Sequence, residues 1–336
     1  MDDVAAAKKF DMPLDTAWAS VDLKKDSWVA NLQPEDISEL DVYLGEINAG
    51  KSTAELTDLS RWPKLAMEIS NELESGRGFV VVRGLPIDAD ELALEKFLLG
   101  LGKFLGAPVS QTTDGRFISY IKDLGLDAAS PTVRGHQTSI ALPFHCDRAD
   151  VVGLLCVRPA KVGGLSLVAS AVQVHDIIAR ERPDLLAELY NPFPQDRRGE
   201  ELPDQQPWFL MPVFGQHQGR FVSRYIRRFI ESAARFDDAP ALSDKQIEAL
   251  DYVDAVLERD DVQLKLDFQP GDLQLLNNST IWHSRTAYED WAEEAGGRLL
   301  LRLWLAPPNS RELPEWFTNV YGATASGAIR GGVPSR

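Results

Sequence analysis

From about Phe117 onward, the chain is a succession of short apolar and β-branched segments separated by turns, and this pattern limits its fold most. Two helical segments interrupt the pattern, near residues 171–190 and 243–258. The strand-like segments span residues 116–121, 141–159, 165–170, 209–226, 262–278 and 298–307. Strands do not alternate regularly with helices, which excludes a dinucleotide-binding βαβ arrangement. The pattern instead predicts a mainly β protein with flanking helices (α+β), built as a double-stranded β-helix or jelly roll.

The remaining segments define the expected domain organisation. Residues 1–75 are predicted to form a helical segment packed on the core, and 76–321 to form the jelly-roll domain. Residues 191–208 are rich in proline and charge, which predicts a loop inserted as a lid. The small residues of 322–336 predict a flexible tail.

Charge and cysteine content exclude several classes of protein. The formal net charge is −16, and an acidic surface repels nucleic acid and anionic membranes. Two cysteines cannot build a disulfide framework or a cysteine-rich zinc site. The charged start has no apolar signal segment and no membrane span is visible, so we expect a cytoplasmic protein that acts on a small molecule. A homo-oligomer stays open.

The first candidate metal ligands are His145 and Asp147, which are separated by Cys146. Alternate side chains of a strand share a face, so the histidine and the carboxylate would lie roughly 7 Å apart along the backbone and could bind one metal. The His-x-Asp pattern is common by chance, and a third ligand must come from elsewhere. Two histidines and one carboxylate would leave three positions open on an octahedral iron.

The segment 298–305 carries a second cluster of interest. Its odd-numbered positions, 299 to 305, place four leucines on one strand face, whereas Arg298 and Arg302 share the other face with Leu300 and Trp304. Two arginines on a dry face would need anions, and a carboxylate-bearing cosubstrate is one natural partner. The alternative is that both arginines pair with acidic side chains on a solvent-facing strand.

Several motifs, taken in order, resemble the taurine dioxygenase-like (TauD/TfdA) family of Fe(II)/2-oxoglutarate oxygenases. They are GFVVVRGL, FHCD, GGLSLVAS, MPVFGQHQGRFVSRYIRRFI and NNSTIWHSRTAYED followed by RLLLR, and together they span roughly residues 75–310. The resemblance implies that His145, Asp147 and His283 bind iron and form the catalytic centre. It also implies that Ser166, where relatives usually have threonine, contacts 2-oxoglutarate. Ser166 keeps the hydroxyl group, so this role is expected to persist.

The resemblance assigns further roles around this centre. Arg298 matches the arginine that grips the distal carboxylate of 2-oxoglutarate, and Arg302 matches a position that assists it or binds an anionic substrate group. The remaining expected substrate contacts are Gln137, Thr138, Arg224 and Tyr225. His136 is interpreted as a loop histidine, and Asn277 and Asn278 as groups that orient the metal ligands.

The cofactors implied are Fe(II), 2-oxoglutarate as cosubstrate, and O2. The expected reaction hydroxylates an unactivated C–H bond of a small polar substrate, such as an amino acid, sulfonate or carboxylate, and yields succinate and CO2. Two alternatives stay open. The same cofactors support desaturation or cyclisation, and a jelly roll can also bind metal without catalysis.

Overall fold

Two β-sheets of unequal size form the centre of the protein. The structure is a computed structural model that describes residues 17–24, 26–52, 55–127, 134–291 and 296–334. The larger sheet contains Val29–Asn31 (β1), Phe79–Arg83 (β2), Ala107–Pro108 (β3), Ile118–Ile121 (β4), Val151–Arg158 (β6), Leu273–Asn277 (β14) and Leu299–Ala306 (β17). The smaller sheet contains Leu142–His145 (β5), Ser166–Ser170 (β8), Leu264–Leu266 (β13) and Ile281–Arg285 (β15).

Within each sheet, strands distant in sequence lie side by side. The larger sheet has the order β1-β2-β14-β6-β17-β3, with β4 also pairing with β17, and the smaller has β13-β8-β15-β5. Three two-stranded ribbons complete the β structure: Val162–Gly163 (β7) with Tyr288–Glu289 (β16), Phe193–Asp196 (β9) with Trp208–Met211 (β10), and Phe214–His217 (β11) with Arg220–Ser223 (β12). The arrangement confirms the predicted jelly roll.

Helices cover the outer faces of both sheets. They are Pro34–Asn48 (α1), Trp62–Ser75 (α2), Glu91–Gly102 (α3), Ala171–Glu181 (α4), Pro183–Leu189 (α5), Arg227–Ser232 (α6), Asp244–Leu257 (α7) and Thr318–Tyr321 (α8). The first three helices pack against the larger sheet, and α4, α5 and α7 pack against the smaller one. In the described part of the chain, no helix combines the length and apolar character needed to cross a bilayer.

The alternation predicted for β17 is present. Leu299, Leu301, Leu303 and Leu305 are buried beneath the helices of the larger sheet. The opposite face of β17 looks into the space between the sheets, so its polar residues do not lie on a solvent-facing strand. This placement turns two arginines toward the interior of the barrel.

Three expected segment boundaries differ from the structure. The segment 1–75 carries β1 besides its helices, and its first sixteen residues lie outside the described ranges. The expected loop 191–208 begins and ends in strands, because β9 pairs with β10 and leaves 197–207 as the connection. The expected flexible tail is packed on the core as far as residue 334, with Arg330 only 2% exposed.

A buried ion pair fixes the C-terminal segment. The Arg330 guanidinium donates to both carboxylate oxygens of Asp150, at 2.8 to 3.1 Å, and to the backbone oxygens of Thr324, Ala325 and Arg311. Small residues and glycines concealed this contact in the sequence, because the partner lies 180 positions away. Position in the sequence alone was therefore a poor guide to order.

Arg330→Met should lower the free energy of unfolding by about 3–5 kcal/mol, because Asp150 would keep a buried, unpaired charge. Urea unfolding followed by circular dichroism measures the change. The neighbouring Ile329→Ala is a matched control, since Ile329 is 72% exposed and its loss should change stability by less than about 0.5 kcal/mol. Equal midpoints for the two variants would contradict a structural role for the segment.

Candidate active site

The pairing of β5 with β15 brings the three predicted metal ligands together. His283 lies directly opposite His145 in this antiparallel pair, and their ring centres are 4.3 Å apart. Asp147 lies two residues after His145, the last residue of β5. Its Oδ2 lies 3.8 Å from His283 Nε2. One ligand atom from each of the three residues lies within 4.8 Å of the others, the sole such group found in the described ranges.

Hydrogen bonds and burial set the protonation of these ligands. His145 Nδ1 donates to the Pro143 carbonyl at 2.8 Å, so the lone pair of Nε2 is available to bind a metal. Burial lowers the pKa of His145, and burial together with His145 lowers the pKa of His283 to about 3. Burial acts to raise the pKa of Asp147, yet Arg302 and the two histidines outweigh it and hold the value at about 2. The donor set is two neutral imidazoles and a carboxylate.

The turn that carries Asp147 is held by an amide side chain from the opposite sheet. Asn278 accepts a hydrogen bond from the Asp147 backbone N–H at 2.9 Å and donates to the Ala149 carbonyl at 2.8 Å. The expected supporting role of Asn278 matches this geometry. Asn277 faces away and donates to Leu73 and Glu74, so it supports helix α2 rather than the ligands.

The donor set fits a divalent transition metal. Asp147 Oδ2 is buried without a hydrogen-bond partner among the described residues, which is costly unless a cation binds there. Two imidazoles and one carboxylate form the facial triad typical of non-haem Fe(II) oxygenases, which leaves further coordination positions for cosubstrate and O2.

A pocket opens beside the triad, and His145 and His283 form part of its lining. Ser166, Arg298 and Arg302, the residues expected to contact the cosubstrate, all line this pocket. The Ser166 hydroxyl lies 3.0 Å from Gln274 Oε1 and is buried. The other lining residues include Ile121, His136, Leu142, Leu154, Phe268, Ser284, Arg285 and Leu300.

Two arginines at one end of the pocket lack anionic partners. Arg298 Nη1, and Nε and Nη1 of Arg285, are buried with no hydrogen-bond partner in the described part of the chain. Their guanidinium carbons lie 5.1 and 4.8 Å from the ring centre of Tyr288, which sits beside both. Burial lowers the pKa of Arg298, and burial with the nearby Arg298 charge lowers that of Arg285 to about 10. An anion bound here would relieve both effects.

Arg302 is positioned differently from Arg298. Its Nη1 donates to Asp147 Oδ1 at 3.2 Å, its Nε donates to Gln111 Oε1 at 2.7 Å, and its guanidinium stacks over Trp304. The two arginines predicted on one strand face therefore have different surroundings. Arg298 is free to bind an anion, whereas Arg302 holds the metal-binding carboxylate.

Of the expected substrate contacts, Arg302 lines the pocket, whereas Gln137, Thr138, Arg224 and Tyr225 are not part of its lining. Among the described residues, the lining includes His136 and neither Gln137 nor Thr138, because the short 3-10 turn at 135–137 directs the histidine inward. The Thr138 carbonyl instead accepts from Arg285. Tyr225 packs against Trp282 and donates its hydroxyl hydrogen to Asp254 at 2.5 Å, outside the pocket.

Arg285 was missed in the sequence, although a signal existed. It lies two residues after His283 on the same strand, so period-two alternation places both on one face. The sequence prediction instead assigned anion binding to Arg298 and Arg302 of β17. Arg285 also donates to the backbone carbonyls of Thr138 and Ile140, which ties the 134–140 segment to the pocket floor.

The glycine pair before Ser166 is required by its backbone. Gly163 and Gly164 have φ of +76° and +70°, and a Cβ on Gly164 would lie 3.1 Å from Arg298 Nε. A side chain at either position would be strained, and one at Gly164 would also displace the arginine.

Comparison with known proteins agrees with this site. The family model described as "Taurine catabolism dioxygenase TauD, TfdA family" matches residues 41–304. FR-33289 synthase of Streptomyces rubellomurinus is 35% identical over 265 residues, covering 76% of this chain and 77% of that protein. Taurine hydroxylase-like protein SAT17 of Stachybotrys chartarum is 28% identical, covering 84% and 79%.

Solved structures share the fold at low sequence identity. Asparagine oxygenase in complex with Fe(II), 2S,3S-3-hydroxyasparagine and succinate has a TM-score of 0.61 at 18% identity, covering 83% of this chain and 93% of that one. The non-heme iron oxygenase OrfP in complex with Fe and alpha-ketoglutaric acid has a TM-score of 0.60 at 18% identity, covering 82% and 93%. The extent of the family match and the identity to FR-33289 synthase settle the assignment: the chain belongs to the TauD/TfdA family of Fe(II)/2-oxoglutarate-dependent dioxygenases.

Proposed function

We propose that the protein hydroxylates an unactivated C–H bond of a small polar substrate, with 2-oxoglutarate as cosubstrate and succinate and CO2 as products. The observation that carries this proposal is the shared pocket of the metal triad and the unpaired Arg298 and Arg285 guanidinium groups. A dicarboxylate with one end at the metal and the other at the arginines would satisfy both sets of buried polar atoms.

The side chains have distinct roles in this scheme. His145, Asp147 and His283 would hold Fe(II), which when bound supplies the oxidation of the cosubstrate and of the substrate C–H bond. Arg298 binds the distal carboxylate, and Ser166, whose hydroxyl donates to Gln274 Oε1, lines the same pocket. Apolar walls exclude water from the reacting atoms.

Arg302 serves the metal ligand rather than the cosubstrate. By donating to Asp147 Oδ1, it fixes the carboxylate so that Oδ2 faces the two imidazoles. It also keeps Asp147 ionised, since its positive charge is the largest of the influences that lower the pKa of this group. The carboxylate is therefore ready to bind metal without losing a proton.

Hydroxylation is favoured over the other outcomes by one comparison. The asparagine oxygenase structure that shares this fold contains a hydroxylated amino acid and succinate. Desaturation or cyclisation would consume the same cosubstrate, and product mass distinguishes them, because hydroxylation adds one oxygen atom whereas the others remove two hydrogen atoms.

Arg298→Met should weaken 2-oxoglutarate binding by about tenfold to a hundredfold, because a charge-assisted bond to the distal carboxylate is lost. The visible charge-transfer band of the anaerobic Fe(II) complex, titrated with 2-oxoglutarate, measures the dissociation constant. Arg182→Met is a suitable control, since this substitution removes the same charge from an exposed ion pair between Arg182 and Asp184.

An unchanged dissociation constant in Arg298→Met would contradict the carboxylate clamp. If the band were absent from the wild-type protein at saturating iron, the metal assignment itself would be wrong, and a metal-binding protein without this chemistry would gain support. His283→Ala separates these cases, because it removes a ligand and leaves the clamp intact.

Incubation with Fe(II), 2-oxoglutarate and O2 should give substrate-dependent succinate for at least one member of a panel of amino acids, sulfonates and short carboxylates. His145→Ala should abolish this succinate, because two ligands do not hold the metal in the facial arrangement. Mass spectrometry of the consumed compound checks for a gain of one oxygen atom. Succinate release that does not depend on His145 would refute the assignment.

A further inference from the structure

A cluster of arginines, close in the chain to residues of the metal site, contacts the 197–207 connection between β9 and β10. Glu200 of this connection accepts from Arg134 Nη2 at 2.5 Å and from Arg148 Nη1 at 3.4 Å. Arg148 also donates through Nε to the Val320 carbonyl at 2.8 Å, which fixes its guanidinium in place. One carboxylate from the connection thus bridges two arginines of the domain body.

Arg224 adds a third cation that is not neutralised. It is 3% exposed, and its Nε and Nη1 have no hydrogen-bond partner among the described residues. The positive charge of Arg224 also acts on Arg148. Burial, followed by Arg224, lowers the pKa of Arg148 to about 10, although Glu200 acts to raise it. A buried guanidinium without an acceptor is costly, so an unpaired one in a native site requires an explanation.

The cluster holds more positive charge than its own carboxylate can balance. Arg134 and Arg148 share Glu200 as their acidic partner, and Arg224 lies close enough to Arg148 to act on its charge. This local excess of cations stands in a protein whose formal net charge is −16. A role limited to packing would be better served by apolar side chains of similar volume.

The cluster is also directly connected to the catalytic centre. Arg148 follows the metal ligand Asp147 in the chain. Arg134 lies two residues before His136, which lines the metal pocket, and is close enough to contribute to lowering the pKa of His136. A small molecule with its reactive carbon at the metal could therefore extend an anionic group toward these arginines.

We propose that Arg148 and Arg224, assisted by Arg134, bind an oxyanion group of the primary substrate, and that Glu200 occupies this position until the substrate displaces it. The group would be a carboxylate, sulfonate or phosphonate, since arginine binds all three through paired N–H donors. The inference rests on the proposed function and narrows its substrate class to anions. The 197–207 connection would then act as a lid, in which the substrate oxyanion replaces the Glu200 carboxylate.

Isothermal titration calorimetry of the anaerobic Fe(II)/2-oxoglutarate holoenzyme tests this subsite with acetate, methanesulfonate and methylphosphonate as probes. Bound 2-oxoglutarate fills the Arg298 site, so the probes report on the second cluster. We expect at least one probe to bind with a Kd of about 1 mM or tighter, and Arg224→Met to weaken it by about tenfold to a hundredfold. Comparison of the three probes identifies the preferred oxyanion.

The controls separate local from global effects. Arg116→Met removes a guanidinium whose side chain is 72% exposed and should leave probe binding unchanged. Arg224→Lys, which keeps the charge, should recover part of the affinity lost in Arg224→Met. The charge-transfer band with 2-oxoglutarate should persist in both Arg224 variants, which shows that the metal site has folded.

Glu200→Gln provides the opposite change in the same cluster. If Glu200 competes with the substrate, this variant should bind the probes severalfold more tightly. Weaker binding in Glu200→Gln would refute the displacement, and wild-type affinity in Arg224→Met would refute the subsite. Failure of every probe to bind the wild type would likewise refute it, whereas a missing charge-transfer band alone would count against the proposed function only.

Discussion

The antiparallel pairing of β5 with β15 is the constraint on which the site depends. It places His145 opposite His283 and leaves Asp147 at the point where the first strand leaves the sheet. A slip of β5 by one residue along β15 would turn His145 to the opposite face, where apolar helices pack. The rest of the fold holds this register: β8 pairs with the other edge of β15, and Asn278 holds the turn that bears the carboxylate.

Buried positive charge is the second organising feature, and the structure handles each guanidinium in its own way. Arg302 is neutralised by Asp147, and Arg330 by Asp150. Arg298, Arg285 and Arg224 keep unpaired nitrogens. The paired arginines stabilise parts of the fold, whereas the unpaired ones are the basis of the anion sites that we propose. Burial alone does not separate these two classes, because Arg330 is as inaccessible to solvent as Arg298, Arg285 and Arg224.

Much of the fold could be predicted from local patterns. Alternation along 298–305 predicted the correct faces of β17. The ordered motifs, through their family resemblance, predicted a metal triad whose three members lie together in the structure. The sequence could not show which loop positions face inward. Tyr225 and Thr138 were expected in the pocket, yet the orientation of each depends on a turn that distant residues hold. The order of the C-terminal segment was missed for the same reason, since its partner Asp150 is remote in sequence.

The basic pocket lies within an acidic protein, and this contrast has a kinetic consequence. With a formal net charge of −16, the molecule repels a dianion once the dianion comes within about a Debye length, roughly 8–10 Å, of the acidic surface. Dissolved salt screens this long-range repulsion more than it screens the desolvated contacts inside. Capture of 2-oxoglutarate would then accelerate as ionic strength rises, the reverse of the behaviour of enzymes that steer their ligands by opposite surface charge.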